Sequence, residues 1–344
     1  MELKIEKLFN ISSAHIKLDG LTVVAGENDT GKSSIGKALY SVIKADNTAR
    51  AKNKIDSPDA FFEYRAKRFE ALFRLVFGCD YPENSKIKLT LLDRTIYDVS
   101  THHTTGLEFE GLDQPDPRPF MDATFIETPL IWSLADFFNT IILLHAQEQS
   151  EDPNIDPIKF PHTLRDLHNK LYIEKDFERV APNLTSTIRN IIGGDFKVEN
   201  KKFSFYKNNV TVPLENTATG IKNFAILQVL NENSYINPRS LLIFDEPEVH
   251  LHPKWEIEMA KIIIDIVKAG VKVVVNSHSP YMIEALILYS RKNGLGGKSN
   301  YYLAQKDNED GKSFIHDVTT DLDLIFKKLA DPFRELEELR FELS

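Results

Sequence analysis

The sequence predicts an α/β fold: a mixed sheet, an antiparallel β subdomain and an inserted α-helical lobe. Three observations carry that prediction. The apolar runs Leu21–Ala25, Leu241–Phe244 and Val271–Val275 read as buried strands, each ending in a cluster of polar residues. A glycine-rich loop follows the first run and leads directly into the helix-like stretch Ile35–Tyr40. From Phe196 to Val212 the polarity alternates in three short segments, as in a small antiparallel sheet.

Taken in order, Leu3–Leu8 and His15–Leu18 form an antiparallel start, and Met1–Glu6 carries no signal-peptide pattern. Ser57-Pro58 caps a helix whose Phe62, Phe69, Leu72, Phe73 and Val76 share one stripe, which reads as core packing. Ile87–Leu92 and Thr95–Val99 resemble a hairpin, and Gln114–Pro119, with three prolines, reads as a loop. Phe125–Ile131 is a strand leaving toward a helix; an acidic, proline-bearing loop, Gln147–Pro161, comes next. Thr163–Ile192 predicts two helices, the first ending near Phe177 and the second near Gly193-Gly194. Arg165, Lys170, Lys175, Arg179 and Arg189 make that segment basic, either as a solvated helix face or as a face for nucleic acid. Leu214–Asn223 then opens the apolar helix Phe224–Leu230, and Asp321 and Asp323 read as the start of a C-terminal helix. The expected organisation is one domain, 1–344: a core of 1–45 and 195–320, a mainly helical insertion at 46–194, and a helical tail at 321–344.

Composition narrows the class. The 344 residues are 42% apolar, enough for a sizeable core, and hold no apolar run long enough to span a bilayer. The net charge of −9 argues against a uniformly basic nucleic-acid binder. Cys79 is the only cysteine, which excludes an intrachain disulfide and a multi-thiolate zinc site; a buried structural thiol is expected there. A soluble, cytoplasmic protein is the expectation.

The chemistry lies in the loops. Gly26–Ser33 fits G-x-x-x-x-G-K-[ST] between a strand and a helix, the context that a phosphate-binding loop requires. Its backbone N–H groups and the positive end of the helix would cradle phosphates, with Gly26, Asn28, Asp29, Thr30, Gly31, Lys32, Ser33 and Ser34 as the binding residues. Lys32 would reach the β- and γ-phosphates, and Ser33 would ligate Mg²⁺. Asp245 and Glu246, ending their strand, are then a Mg²⁺-organising carboxylate and a base for an attacking water. His278 stands at the end of the next strand, ahead of a Ser279-Pro280 helix start, where an imidazole can meet a γ-phosphate or its water. Thr219-Gly220 opens a helix, a further anion site by geometry.

Together Gly26–Ser33, Thr217–Lys222, Leu241–Pro253 and Asn276–Pro280 resemble the ABC-type ATPases of the overcoming-lysogenization-defect (OLD) group and their stand-alone relatives. The shared pattern is an Ala-Ser-Gly-Ile-Lys-like signature, a Walker B segment ending Asp-Glu-Pro-Glu-x-His-Leu-His-Pro, and a Ser-His-Ser-Pro switch. This chain has Thr219 where serine is usual, and a hydroxyl remains. The resemblance implies an ABC-type P-loop ATPase head that uses ATP and Mg²⁺. It also implies a head-to-tail homodimer, or a larger homo-oligomer, in which Thr219, Gly220 and Lys222 meet the γ-phosphate held by a second copy. Glu127 is a candidate for the metal-contacting residue that is glutamine in ABC proteins, with Gln147 and Gln149 as alternatives. His250 and His252 lack an evident third metal ligand and are implied to be structural or interfacial, Trp255 to be packing, and Phe9–Ser12 to lie near the adenine. Without a sustained heptad insertion or a Toprim continuation, the chain is similar to the ATPase subunits of the Septu, retron-associated and PARIS antiphage systems. That likeness implies a separately encoded effector such as a nuclease. A repair or replication ATPase acting on nucleic acid, and an assembly scaffold with little turnover, stand as alternatives; no membrane partner is expected.

Overall fold

The computed structural model describes residues 1–51, 58–91, 94–102, 106–111, 120–138, 140, 161–175, 179–199, 202–307 and 311–343. The expected loop 114–119 and most of the loop 147–161, with Gln147, Gln149 and Phe177, lie outside these residues. Among those described, no helix is long and apolar enough to cross a membrane.

The strands are β1 (Glu2–Leu8), β2 (Ile11–Lys17), β3 (Leu21–Gly26), β4 (Lys86–Leu91), β5 (Arg94–His102), β6 (Gly106–Gly111) and β7 (Asp122–Ile126). They are followed by β8 (Asp195–Glu199), β9 (Lys202–Lys207), β10 (Val210–Pro213), β11 (Ser240–Asp245), β12 (Lys272–Ser277), β13 (Ser299–Lys306) and β14 (Ser313–Asp317). Eleven form one sheet in the order β6-β5-β4-β1-β2-β14-β13-β3-β12-β11-β7, and β10-β9-β8 form a second, antiparallel sheet. The large sheet is mixed: β13, β3, β12, β11 and β7 run parallel, whereas β1, β2, β4, β5 and β6 pair antiparallel.

The helices are α1 (Lys32–Arg50), α2 (Pro58–Phe77), α3 (His162–Tyr172), α4 (Leu184–Ile192), α5 (Thr219–Glu232), α6 (Pro253–Lys268), α7 (Pro280–Lys292), α8 (Asp323–Leu329) and α9 (Asp331–Glu342). Strand alternation sorts the core onto two faces of the sheet. Val24, Leu241, Ile243 and Val274 meet Ile35, Leu39 and Phe73 of α1 and α2. Val23, Leu242, Phe244, Val273 and Val275 meet the apolar sides of α5, α6 and α7.

Several elements differ from the sequence expectation. The insertion 46–194 holds helices as expected, and β4, β5, β6 and β7 within it join the central sheet. Neither β6 nor the β13–β14 pair was anticipated. The first predicted helix of the basic segment stops at Tyr172, where Asn233 Nδ2 donates to the carbonyls of Lys170 and Leu171 and ends the helical ladder. Cys79 is exposed rather than buried, because α2 ends at Phe77 and the chain turns outward.

The basic segment is mostly internally neutralised. Lys170 is buried and paired with Asp122 and Asp166, whereas Lys175 meets Asp122, Arg179 meets Glu174 and Arg189 meets Asp195. For Lys170 neither the solvated face nor the nucleic-acid face holds, since a buried ammonium requires partners.

Candidate functional site at the carboxyl edge of the parallel strands

Parallel register brings the motifs to one edge. Ala25 of β3 pairs with Ser277 of β12, Asn276 of β12 with Asp245 of β11, and Phe244 of β11 with Ile126 of β7. The Gly26–Ser34 loop, the Asp245-Glu246 pair, the His278 turn and Glu127 therefore leave neighbouring strands at the same end. Open α/β sheets place their ligand crevices there.

The glycine-rich loop is held from inside and outside. Gly31, at φ 83, occupies the left-handed region immediately before α1, and its missing Cβ leaves room for Ile11 and Asn10. Lys32 is buried and donates to the carbonyls of Gly26 at 2.9 Å and Glu27 at 2.5 Å. Burial pushes its ammonium pKa down, opposed by the carboxylates of Glu246, Asp245, Glu248 and Glu27. Thr30 donates to the Glu27 carbonyl at 2.8 Å, while Asn10 Nδ2 donates to the Asp29 carbonyl at 2.9 Å. Lys306 of β13 pairs with Asp29 and Lys328 of α8 with Glu27.

A cleft of about 550 Å³, within the range of ligand pockets, is lined by this loop together with Phe9, Asn10 and Glu246. Phe9 is positioned from below: its ring stacks on Phe73 at 6.0 Å and leans on Phe77 at 5.2 Å. The aromatic stripe of α2 thus packs the core and supports a wall of the cleft.

Opposite the loop stand the carboxylates. Asp245 accepts from Asn276 Nδ2 at 2.8 Å and is also hydrogen-bonded to Ser33. Burial raises the Asp245 pKa, and those two hydrogen bonds oppose the rise. Ser33 and Asp245 present adjacent hard oxygens, and the buried Asn276 Oδ1 beside them has no protein partner. This donor set fits Mg²⁺, which takes one or two protein oxygens and completes its shell with water and substrate phosphates. Among the described residues there is no group of three or more His, Cys, Asp or Glu suited to a metal.

Glu246 has φ 53, and its N–H donates to the Asn276 carbonyl at 2.9 Å. The left-handed backbone turns the chain sharply at the strand end and keeps the Glu246 side chain on the cleft. Next to it, His278 Nδ1 lies 3.4 Å from Glu246 Oε1 and 3.5 Å from Glu248 Oε1. Glu248, to which the sequence reading assigned no role, is buried behind this turn.

The other candidates fall around this centre. Glu127 lines a small recess with Asp245 and Glu246, and its Oε1 accepts from Thr163 at 2.6 Å. Thr219 and Gly220 begin α5 outside the cleft, where Trp255 covers Gly220. Lys222, expected to face a second copy with them, is buried in its own chain, with its ammonium donating to the Glu215 carbonyl at 2.6 Å. His252 caps α6 by accepting from the Lys254 N–H at 3.2 Å, and His250 is exposed. Trp255 packs edge-on against Phe224 at 5.6 Å, as expected of a packing residue.

Comparison with known proteins bears on the family and the fold. Residues 129–283 match the family model AAA_15, described as an AAA ATPase domain; that span holds Thr217–Lys222, Leu241–Pro253 and Asn276–Pro280 and excludes the Gly26–Ser34 loop. The chain is similar to an Smc head bound to the C-winged helix domain of ScpA, at TM-score 0.52 and 13% identity, covering 94% of this chain and 98% of that one. It is also similar to the Smc head with an extended coiled coil bound to the C-terminal domain of ScpA derived from Pyrococcus furiosus. There the TM-score is 0.50 at 14% identity, covering 98% of each chain. At such identities the likeness establishes the fold alone, that of an Smc head. No curated protein matches the chain.

Proposed function

We propose that this protein binds and hydrolyses ATP with Mg²⁺ between two head-to-tail copies, and so controls a separately encoded effector in bacterial antiphage defence. One observation carries the ATPase reading: three neighbouring parallel strands deliver Gly26–Ser34, Asp245-Glu246 and His278 to one edge. In this reading the loop amides and Lys32 hold the phosphates, and Ser33 and Asp245 hold Mg²⁺, which would neutralise phosphate charge. Glu246 orients water and takes its proton, and His278 bonds the γ-phosphate oxygens or that water. Thr219 and Gly220 lie outside the cleft of their own chain, which favours their use by a second copy. Lys222 then supports α5 rather than reaching across.

The defence role rests on the likeness of the Asp245–Pro253 segment, the signature and the switch to stand-alone OLD-like ATPases. That the two Smc heads were solved bound to part of a second protein supports a protein partner for a head of this fold. The pairing of the basic segment disfavours nucleic acid as its ligand.

Glu246→Gln tests the site. It should keep ATP affinity, lower kcat by about 10²- to 10⁴-fold and trap an ATP-dependent dimer visible by sedimentation velocity. Unchanged hydrolysis would remove Glu246 as the base, and a monomer at saturating Mg-ATP would remove the sandwich. Survival of phage infection by host cells carrying the native locus with the wild-type chain or with Glu246→Gln tests the defence role; equal survival would remove it.

A further inference from the structure

We propose that Glu248 is the positioning residue for His278: its carboxylate clamps the switch loop and sets the imidazole against Glu246. This rests on the ATPase reading above and deepens it. A single oxygen, Glu248 Oε1, collects the Ser277 hydroxyl at 2.7 Å, the His278 N–H at 2.9 Å and the Ser279 N–H at 3.2 Å. Three donors on one buried carboxylate oxygen make a strong, directional anchor, because charge-assisted hydrogen bonds strengthen as water is excluded.

The clamp spans two strand ends. Glu248 belongs to the turn after β11, where Val249 N–H donates to the Glu246 carbonyl and Leu251 N–H to that of Glu248, at 3.1 and 2.9 Å. Ser277–Ser279 belong to the turn after β12. The base and the histidine therefore hang on one hydrogen-bonded unit, and the imidazole rests between the Glu246 and Glu248 carboxylates. Nδ1 is the nitrogen that faces both acids, which leaves Nε2 as the nitrogen available to a phosphate oxygen or water. A second acid secures the far side of the loop: Glu256, on the first turn of α6, is hydrogen-bonded by Ser279 Oγ. Ser279 Oγ in turn accepts from the Met282 N–H at 3.3 Å and caps α7. Glu248 touches no substrate in this arrangement. It acts through His278.

The test compares wild type with Glu248→Ala, Glu248→Gln, His278→Ala and the Glu248→Ala/His278→Ala double variant, each first shown to unfold cooperatively. Steady-state hydrolysis of Mg-ATP should show a kcat lower by about 10- to 100-fold in Glu248→Ala, with KM within about threefold, as for a misplaced group. Glu248→Gln, which keeps an acceptor oxygen, should recover most of that loss. The double variant should be no slower than His278→Ala, because one residue acts through the other. Independently of turnover, the His278 and Ser279 amides should exchange with solvent about tenfold faster or more in Glu248→Ala. Multiplying kcat losses, or exchange rates that do not change, would overturn the proposal. A wild-type protein without hydrolysis would instead fail the ATPase reading, and the exchange measurement would still decide the clamp.

Discussion

At the residue scale, close approach rather than conformational freedom explains one glycine of α1. A Cβ on Gly36 would lie 2.7 Å from Ile243 Cγ2 and 2.9 Å from Phe125 Cε2, so the helix sits directly on β11 and β7. Helix propensity favours alanine there by about 1 kcal/mol, while overpacking costs about 1–3 kcal/mol. Gly36→Ala should therefore lower stability on balance, read as a reduced urea midpoint at unchanged slope; a raised midpoint would show that the helix can shift outward. Gly26–Ser34, Asp245, Glu246 and His278 could be singled out in the sequence because each sits in a short contiguous motif, and the strand register brings them to one edge. Glu248 was in view within its motif, but its role was not legible. Its three donors are 29, 30 and 31 residues away, and only the β11–β12 register brings them together.

At the element scale, the end of the sheet away from the cleft holds a buried charge cluster joining α1, α3 and β7. Asp122 and Asp166 bind Lys44 and Lys170, and Lys175 meets Asp122. Burial would raise both carboxyl groups, but the lysines prevail, holding Asp122 well below the usual carboxylate range and lowering Asp166 as well. Beside them His162 is bonded to the Tyr40 hydroxyl at 3.0 Å, and burial lowers its pKa from 6.5 to about 4. The folded chain thus keeps this imidazole neutral, whereas the unfolded chain takes up the proton as pH falls through 6.5. Stability should decline from pH 6.5 to about 4 on this account, and His168, also lowered by burial, adds in the same direction. The aspartates keep their contribution above 3.8, their unfolded value, and lose it only at lower pH. Urea midpoints between pH 7 and 4.5 should show the decline, flattened in part by His162→Gln; an identical slope in that variant would assign the loss elsewhere. Periodicity revealed α2 and α5 because each carries a stripe or run of large apolar residues. It did not reveal β13, although Tyr301, Tyr302, Leu303 and Ala304 are buried in succession like the runs of β3, β11 and β12.

For the whole molecule, the sequence showed the split of the sheet but understated it. The two nucleotide motifs were expected on one sheet with an insertion between them, and that arrangement holds. The sequence marks β4, β5 and β7 as strands, but not that they widen the central sheet, because their pairing with β1 and β11 joins segments far apart along the chain and leaves no local pattern. The neighbours of β3 are β12 and β13, from the last quarter of the chain. Removing everything after residue 298 deletes β13, β14, Lys306 and Lys328, exposing one side of β3 and freeing Glu27 and Asp29. Such a truncated chain should unfold without a cooperative transition and bind no nucleotide, measured by urea titration and by a fluorescent ATP analogue. Cooperative unfolding with retained binding would show that the early strands suffice.

The same placement of β3 has a consequence for synthesis. Leu21–Gly26 leaves the ribosome long before either of the strands that flank it, β12 and β13. Until residues 272–306 emerge, an uncharged, fully buried-type strand has neither hydrogen-bonded neighbour and presents two open edges. Pairings this distant along the chain are slow to form, and exposed apolar edges invite aggregation meanwhile. The nascent chain therefore passes through a long interval in which β3 and the Gly26–Ser34 loop have been made while both partners of the strand are still missing.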